Sequence, residues 1–114
     1  MVGDLPDYTK YVTPISAPPP ATVGNPKKYE GTVAAAGTPV TLDVNADLDH
    51  NAGDGYIVCD GPGNLQVDIS KNGLAFETDV TVEEDEVVLL KGLNVDTIRI
   101  DATVSGTAYR ALVI

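Results

Sequence analysis

The sequence predicts an all-β domain: an antiparallel β-sandwich, jelly-roll or immunoglobulin-like, of about eight short strands behind an extended proline-rich N-terminal arm. Three observations lead there. From Thr32 onward, short segments rich in Val, Ile and Leu recur at roughly ten-residue spacing, each bounded by Gly, Asn, Asp or Pro. No segment repeats its apolar residues at helical spacing. Six of the eight prolines fall within the first 30 residues, where they withdraw backbone donors and exclude both helix and central strand. The chain therefore divides into an arm, residues 1–30, and a sandwich domain, residues 31–114.

The strands follow in order. Thr32–Ala36 is a weak first strand. Pro39–Asn45 alternates, with Val40, Leu42 and Val44 on one face and Thr41, Asp43 and Asn45 on the other. Asp47–Gly55 is polar and reads as a loop. Tyr56–Asp60 is apolar at four successive positions, as in a central strand covered on both faces. Gly61-Pro62-Gly63-Asn64 turns the chain. Along Leu65–Ser70 the residues Leu65, Val67 and Ile69 point inward. Lys71-Asn72-Gly73 then supplies the Asn-Gly pair of a tight hairpin, both residues tolerating positive φ.

Ala75–Val82 is the returning strand. Glu83-Glu84-Asp85 reads as a solvated acidic hairpin tip that opposes edge-to-edge association. Glu86–Leu90 is another apolar strand. Asn94–Thr103 contains the Ile98/Ile100 strand, and a shift of apolar parity after Val95 puts a bulge or strand start near Asp96-Thr97. Ser105-Gly106 leads into Thr107–Ile114, whose apolar end predicts a paired and buried strand.

Charge is unevenly placed. The net charge is −10, yet residues 1–30 balance Asp4, Asp7 and Glu30 against Lys10, Lys27 and Lys28. The whole excess therefore lies on the body, where it repels phosphate backbones and argues against nucleic acid as a partner. No apolar run approaches a membrane span. The start Met1-Val2-Gly3-Asp4-Leu5-Pro6-Asp7 lacks the basic and apolar regions of a secretory leader, so synthesis and folding in a cytoplasm are expected. Without the arm the body is small, and a partner surface or self-association would add stability.

The arm is not a plain linker. Ala17-Pro18-Pro19-Pro20 favours polyproline II, and three of the five tyrosines lie here. Tyrosine offers a large contact area at low entropic cost. Tyr8, Tyr11, Val12, Ile15, Pro18, Pro19, Pro20 and Tyr29 are therefore the candidate partner-binding residues, on a strap expected to lie along a neighbouring surface, the alternative being a strap packed on its own domain.

Candidates for chemistry are few, and no catalytic residue or cofactor is expected. Asp43, Asn45, Asp47, Asp49 and Asp54 place oxygen-bearing side chains at short intervals, which superficially suits calcium. Leu48 stands where a calcium loop needs its sharp-turn glycine, and no glutamate closes twelve residues. A solvated strand and loop is the simpler reading. His50 has no nucleophile-elbow serine to serve, whether Ser16, Ser70 or Ser105 is considered. Cys59, the only cysteine, lies in an apolar run and reads as a buried, inert thiol. Arg99 and Arg110 sit on strands, either in cross-strand acid pairs or in salt bridges between subunits.

The segments Leu65-Gln66-Val67-Asp68-Ile69-Ser70-Lys71-Asn72-Gly73, Phe76–Val82, Val87-Val88-Leu89-Leu90-Lys91-Gly92-Leu93, Val95–Ala102 and Ala108-Tyr109-Arg110-Ala111-Leu112 form an ordered set over residues 56–114. The set resembles small β-sandwich structural proteins of tailed viruses of prokaryotes, the bacteriophage capsid-decoration type. The carrying motifs are a Ser-x-Asn-Gly hairpin, a Gly-Leu-x-Val-x-x-Ile-Arg-Ile strand and a Tyr-Arg terminal strand. The resemblance implies a non-enzymatic protein on the capsid surface of the virion. An N-terminal arm would grip the major capsid protein or other virion proteins, and copies would cluster, trimers being favoured. A tail, baseplate or fibre component is the near alternative. A non-viral carbohydrate-binding or adhesion sandwich is the more distant one.

Overall fold

The computed structural model of the chain describes residues 25–114. Its elements are β1 (Lys27–Val33), β2 (Val40–Leu42), α1 (Val44–Leu48), β3 (Gly55–Gly61), β4 (Leu65–Ser70), β5 (Phe76–Val82), β6 (Val87–Leu89), β7 (Thr97–Ala102) and β8 (Thr107–Val113). Two four-stranded sheets face each other, ordered β1-β8-β3-β6 and β2-β7-β4-β5. Every pairing between these strands is antiparallel.

First pairs with last, second with seventh, third with sixth and fourth with fifth. The chain is thus one long antiparallel hairpin, bent at residues 71–75 and rolled up so that β3 meets β8 and β4 meets β7. That winding is a jelly roll, which decides between the two sandwich types expected. Among the described residues no helix is long and apolar enough to cross a membrane.

Alternation builds the core. Ile57 and Cys59 from β3, Leu65 and Val67 from β4, Ile98 and Ile100 from β7, and Ala111 and Val113 from β8 all turn inward and are buried. Burying each large aliphatic side chain contributes about 1.5–3 kcal/mol. Cys59 is a free thiol in this core, its Sγ 3.2 Å from the Gly63 carbonyl.

Five local differences from the sequence reading have physical causes. The first strand starts at Lys27, within the segment assigned to the arm, because Lys27–Glu30 pair in register with Arg110–Val113. Pro26 stands just outside that ladder, where its missing donor does no harm. The segment after Leu42 leaves the extended state: Asp43 caps α1 by accepting from the Ala46 N–H, and Asp49 closes the helix with φ 65°. Val44 is still buried, since it opens α1 toward the core.

The Asn72-Gly73 turn is wider than a two-residue hairpin. Ser70 Oγ accepts from Asn72 and Gly73, and Asn72 Oδ1 accepts from Leu74 and Ala75. Gly73 there has φ 77°. The acidic turn 83–85 is not a hairpin tip: β5 and β6 belong to different sheets, so it carries the chain between layers. Finally, β3 is covered on one face only, with Ile57 and Cys59 buried while Tyr56 and Asp60 are exposed. The strand start expected near Thr97 is observed, and β8 is a central strand between β1 and β3.

Candidate interaction surface

The two sheets present unlike outer faces. On β1-β8-β3-β6 the register aligns Lys28, Leu112, Tyr56 and Leu89 in one row, and Glu30, Arg110, Val58 and Val87 in the next. Leu112, Tyr56, Leu89, Val58 and Val87 therefore form one apolar patch on the outside of the sandwich. Leu89 is 69% exposed, Val87 51% and Tyr56 36%, so no described residue covers them. An antiparallel sheet ordinarily keeps this face polar.

A charged pair borders the patch. Arg110 donates to both Asp60 carboxylate oxygens, from Nε at 2.7 Å and from a terminal nitrogen at 2.8 Å. Those hydrogen bonds, with the cation's field, hold the Asp60 carboxyl below its ordinary value. Lys28 and Glu30 pair loosely at 3.6 Å on the β1 side.

The opposite sheet turns Thr41, Gln66, Asp68, Arg99 and Asp101 outward. Arg99 donates to Asp68 at 3.1 Å and stacks on the Phe76 ring, 3.7 Å from its centroid. Both candidate arginines are thus engaged in pairs within the chain.

Between the edge strands β5 and β6 the sandwich stays open. A groove of about 540 Å³ runs there, lined by Ile69, Phe76, Val80, Val88, Leu89 and Leu93, with Lys71 and Glu77 among its few charges. It meets the outer patch at Leu89, which borders both. The apolar surface wraps round β6, a strand of 3 residues.

Of the candidate partner-binding residues, Tyr8, Tyr11, Val12, Ile15, Pro18, Pro19 and Pro20 lie outside the described residues. Tyr29 lies on β1 and packs against the core edge. Its hydroxyl donates to Asp47 at 2.5 Å. Burial first, then that bond and the charges of Asp47 and Asp43, push the Tyr29 phenol well above its ordinary value.

The calcium candidates are dispersed into local roles. Asp43 caps α1, Asp49 closes it, and Asp47 accepts from Tyr29. The Asn45 amide donates to the Asn51 side chain at 2.8 Å, and Asp54 accepts from the Gly55 N–H. Among the described residues no three His, Cys, Asp or Glu side chains converge on one point.

His50 donates from Nδ1 to the Asn51 carbonyl at 2.7 Å, while its Nε2 meets no hydrogen-bond partner. Ser70 Oγ serves the 71–75 loop, and Ser105 Oγ accepts from the Ala36 N–H. No nucleophile and base are brought together among the described residues. Sequence reasoning missed the apolar outer patch. Its signal was the unbroken apolar character of Tyr56-Ile57-Val58 and Val87-Val88-Leu89, where one face alone accounts for only half the residues.

Comparison of the chain with family models, with curated proteins and with solved structures finds no match in any of the three.

Proposed function

We propose that this chain is a structural protein of a virus particle, a capsid decoration protein that grips the outer shell through its N-terminal arm and stabilises it. The observation that carries the reading is the two-sidedness of the body. One sheet face is polar and acidic, fit for solvent, and the other bears an uncovered apolar patch, fit for contact. The sequence adds Tyr8, Tyr11, Val12 and Ile15 among the prolines of residues 1–30, a composition that favours an extended chain. Such a segment can bind by laying its backbone along an exposed strand edge. The jelly roll supports the reading by analogy only, since viral capsid domains, lectins and other proteins share it.

The test is the copy number of this chain relative to the major shell subunit in purified particles, by quantitative mass spectrometry. A ratio within a few-fold of the shell subunit is expected. A low, fixed ratio moves the protein to the tail, baseplate or fibre, and absence from particles returns it to a cellular binding module.

A further inference from the structure

We propose that Asn72-Gly73 is the chain's site of spontaneous deamidation and that the fold keeps it closed, so that the modification is acquired when the loop between β4 and β5 opens. The inference is independent of the particle reading.

The chemistry is internal and needs only water. The Gly73 backbone nitrogen, once deprotonated, attacks Cγ of the Asn72 side chain. The new C–N bond closes a five-membered succinimide ring. The bond from Cγ to the side-chain amide nitrogen breaks, and ammonia leaves, the proton returning to it through water. A second water then opens the ring. Attack at Cγ gives an aspartate. Attack at the backbone carbonyl carbon gives an isoaspartate, whose main chain is one carbon longer. Either product adds one negative charge. Of the six asparagines only Asn72 precedes a glycine, where no β-carbon hinders the attacking nitrogen.

Three features of the fold oppose the first step. The Gly73 N–H is engaged by the buried Ser70 Oγ at 2.8 Å. Asn72 Oδ1 accepts from the N–H groups of Leu74 and Ala75 at 2.8 and 3.0 Å. Those bonds hold the side chain toward the residues that follow, whereas ring closure turns it back on Gly73. The Asp96 carboxylate lies beside Gly73: a β-carbon there would be 3.2 Å from Asp96 Oδ1. Its negative charge opposes loss of a proton from the Gly73 nitrogen. Access of water is not the barrier, since residues 71–75 are all exposed.

The gate is local. These contacts lie within the 71–75 loop and where it meets the start of β7, so the loop can open while the core stays shut. An isoaspartate cannot rebuild the loop, because the lengthened main chain displaces the Leu74 and Ala75 N–H groups from their acceptor. Lys71, Ala75 and Phe76 line the groove, so the modification also alters one of its walls. It marks chains that have opened at the bend of the jelly roll.

The experiment is timed incubation of the full chain in neutral buffer, native and in urea. The Asn72 peptide and its aspartate and isoaspartate products are resolved by chromatography and mass spectrometry. In urea Asn72 should be converted before any other asparagine. In the native chain conversion should be about 30-fold or more slower. Ser70→Ala should speed native conversion about 10-fold or more, and Asp96→Asn should speed it a few-fold. Ile57→Val, which weakens the core on the other sheet, should leave the rate unchanged. Native conversion in low urea should rise with urea less steeply than global unfolding does. That last measurement uses the parent alone and decides the matter if Ser70→Ala does not fold. Equal rates in native and unfolded chains overturn the closed site. A rate that follows global stability, rising as much for Ile57→Val as for Ser70→Ala, overturns the loop as the gate. Earlier conversion of another asparagine in urea overturns Asn72 as the site.

Discussion

The Tyr29 hydroxyl donates a 2.5 Å hydrogen bond to the Asp47 carboxylate, tying β1 to α1. The two residues entered as candidates for different roles, one for partner binding and one for calcium. In the fold each is the other's partner. The bond seats β1 at its place on the edge of the sheet and holds the short helix against it.

Tyr29→Phe should lower stability by about 1 kcal/mol, a modest loss because the bond is part-exposed. The alkaline limb carries the sharper test. The phenol's folded pKa lies above its unfolded value of about 10, so its contribution is full below that pH. It is lost as pH rises through the folded value. Urea midpoints on either side of pH 10 should fall more steeply for the parent than for Tyr29→Phe. Parallel curves would mean that the bond is absent in solution.

Neighbouring positions on β3 should respond oppositely. Ile57→Ala opens a cavity in the core and should cost about 2–5 kcal/mol. Val58→Thr, on the outer face, should change the stability of the monomer by no more than about 0.5 kcal/mol. Chemical denaturation at low protein concentration checks both.

Gly55 allows the close approach of β3 to β8. A β-carbon there would lie 2.2 Å from the Leu112 carbonyl oxygen. Gly55→Ala should therefore destabilise by about 1–3 kcal/mol through displaced backbone, readable as a lowered thermal midpoint.

Calcium should not raise the melting temperature. Asp43, Asp47 and Asp49 serve the helix caps and Tyr29, and a ligand that bound only the folded state would stabilise it in a concentration-dependent way. A rise that grows with added calcium would show that the 43–54 segment rearranges around the ion.

On the proposed decoration role, Tyr8→Ala or Tyr11→Ala should weaken attachment to the shell and leave the melting temperature of the free protein unchanged. A fall in melting temperature would mean that the arm packs on its own body.

Most strands were readable because period-two burial is written into the order of side chains. Leu65-Gln66-Val67 and Ile98-Arg99-Ile100 have only one way to hide their aliphatic residues in a sheet covered on one face. The unequal charge of arm and body, the lone buried thiol and the start of β7 near Thr97 are of the same kind, since each depends on residues adjacent in the chain. The Val40–Val44 alternation misled because one capping bond from Asp43 outweighs a single further strand residue, and both conformations bury Val44. The jelly roll itself, with β1 against β8 and β2 against β7, came only from tertiary structure. Pairings across most of the chain length leave no local mark, because they depend on which sheets can close over a shared core. The same holds for the apolar corner. The sequence shows that Tyr56-Ile57-Val58 and Val87-Val88-Leu89 are apolar on both faces, but which face stays outside was decided by the layer that packed against the other.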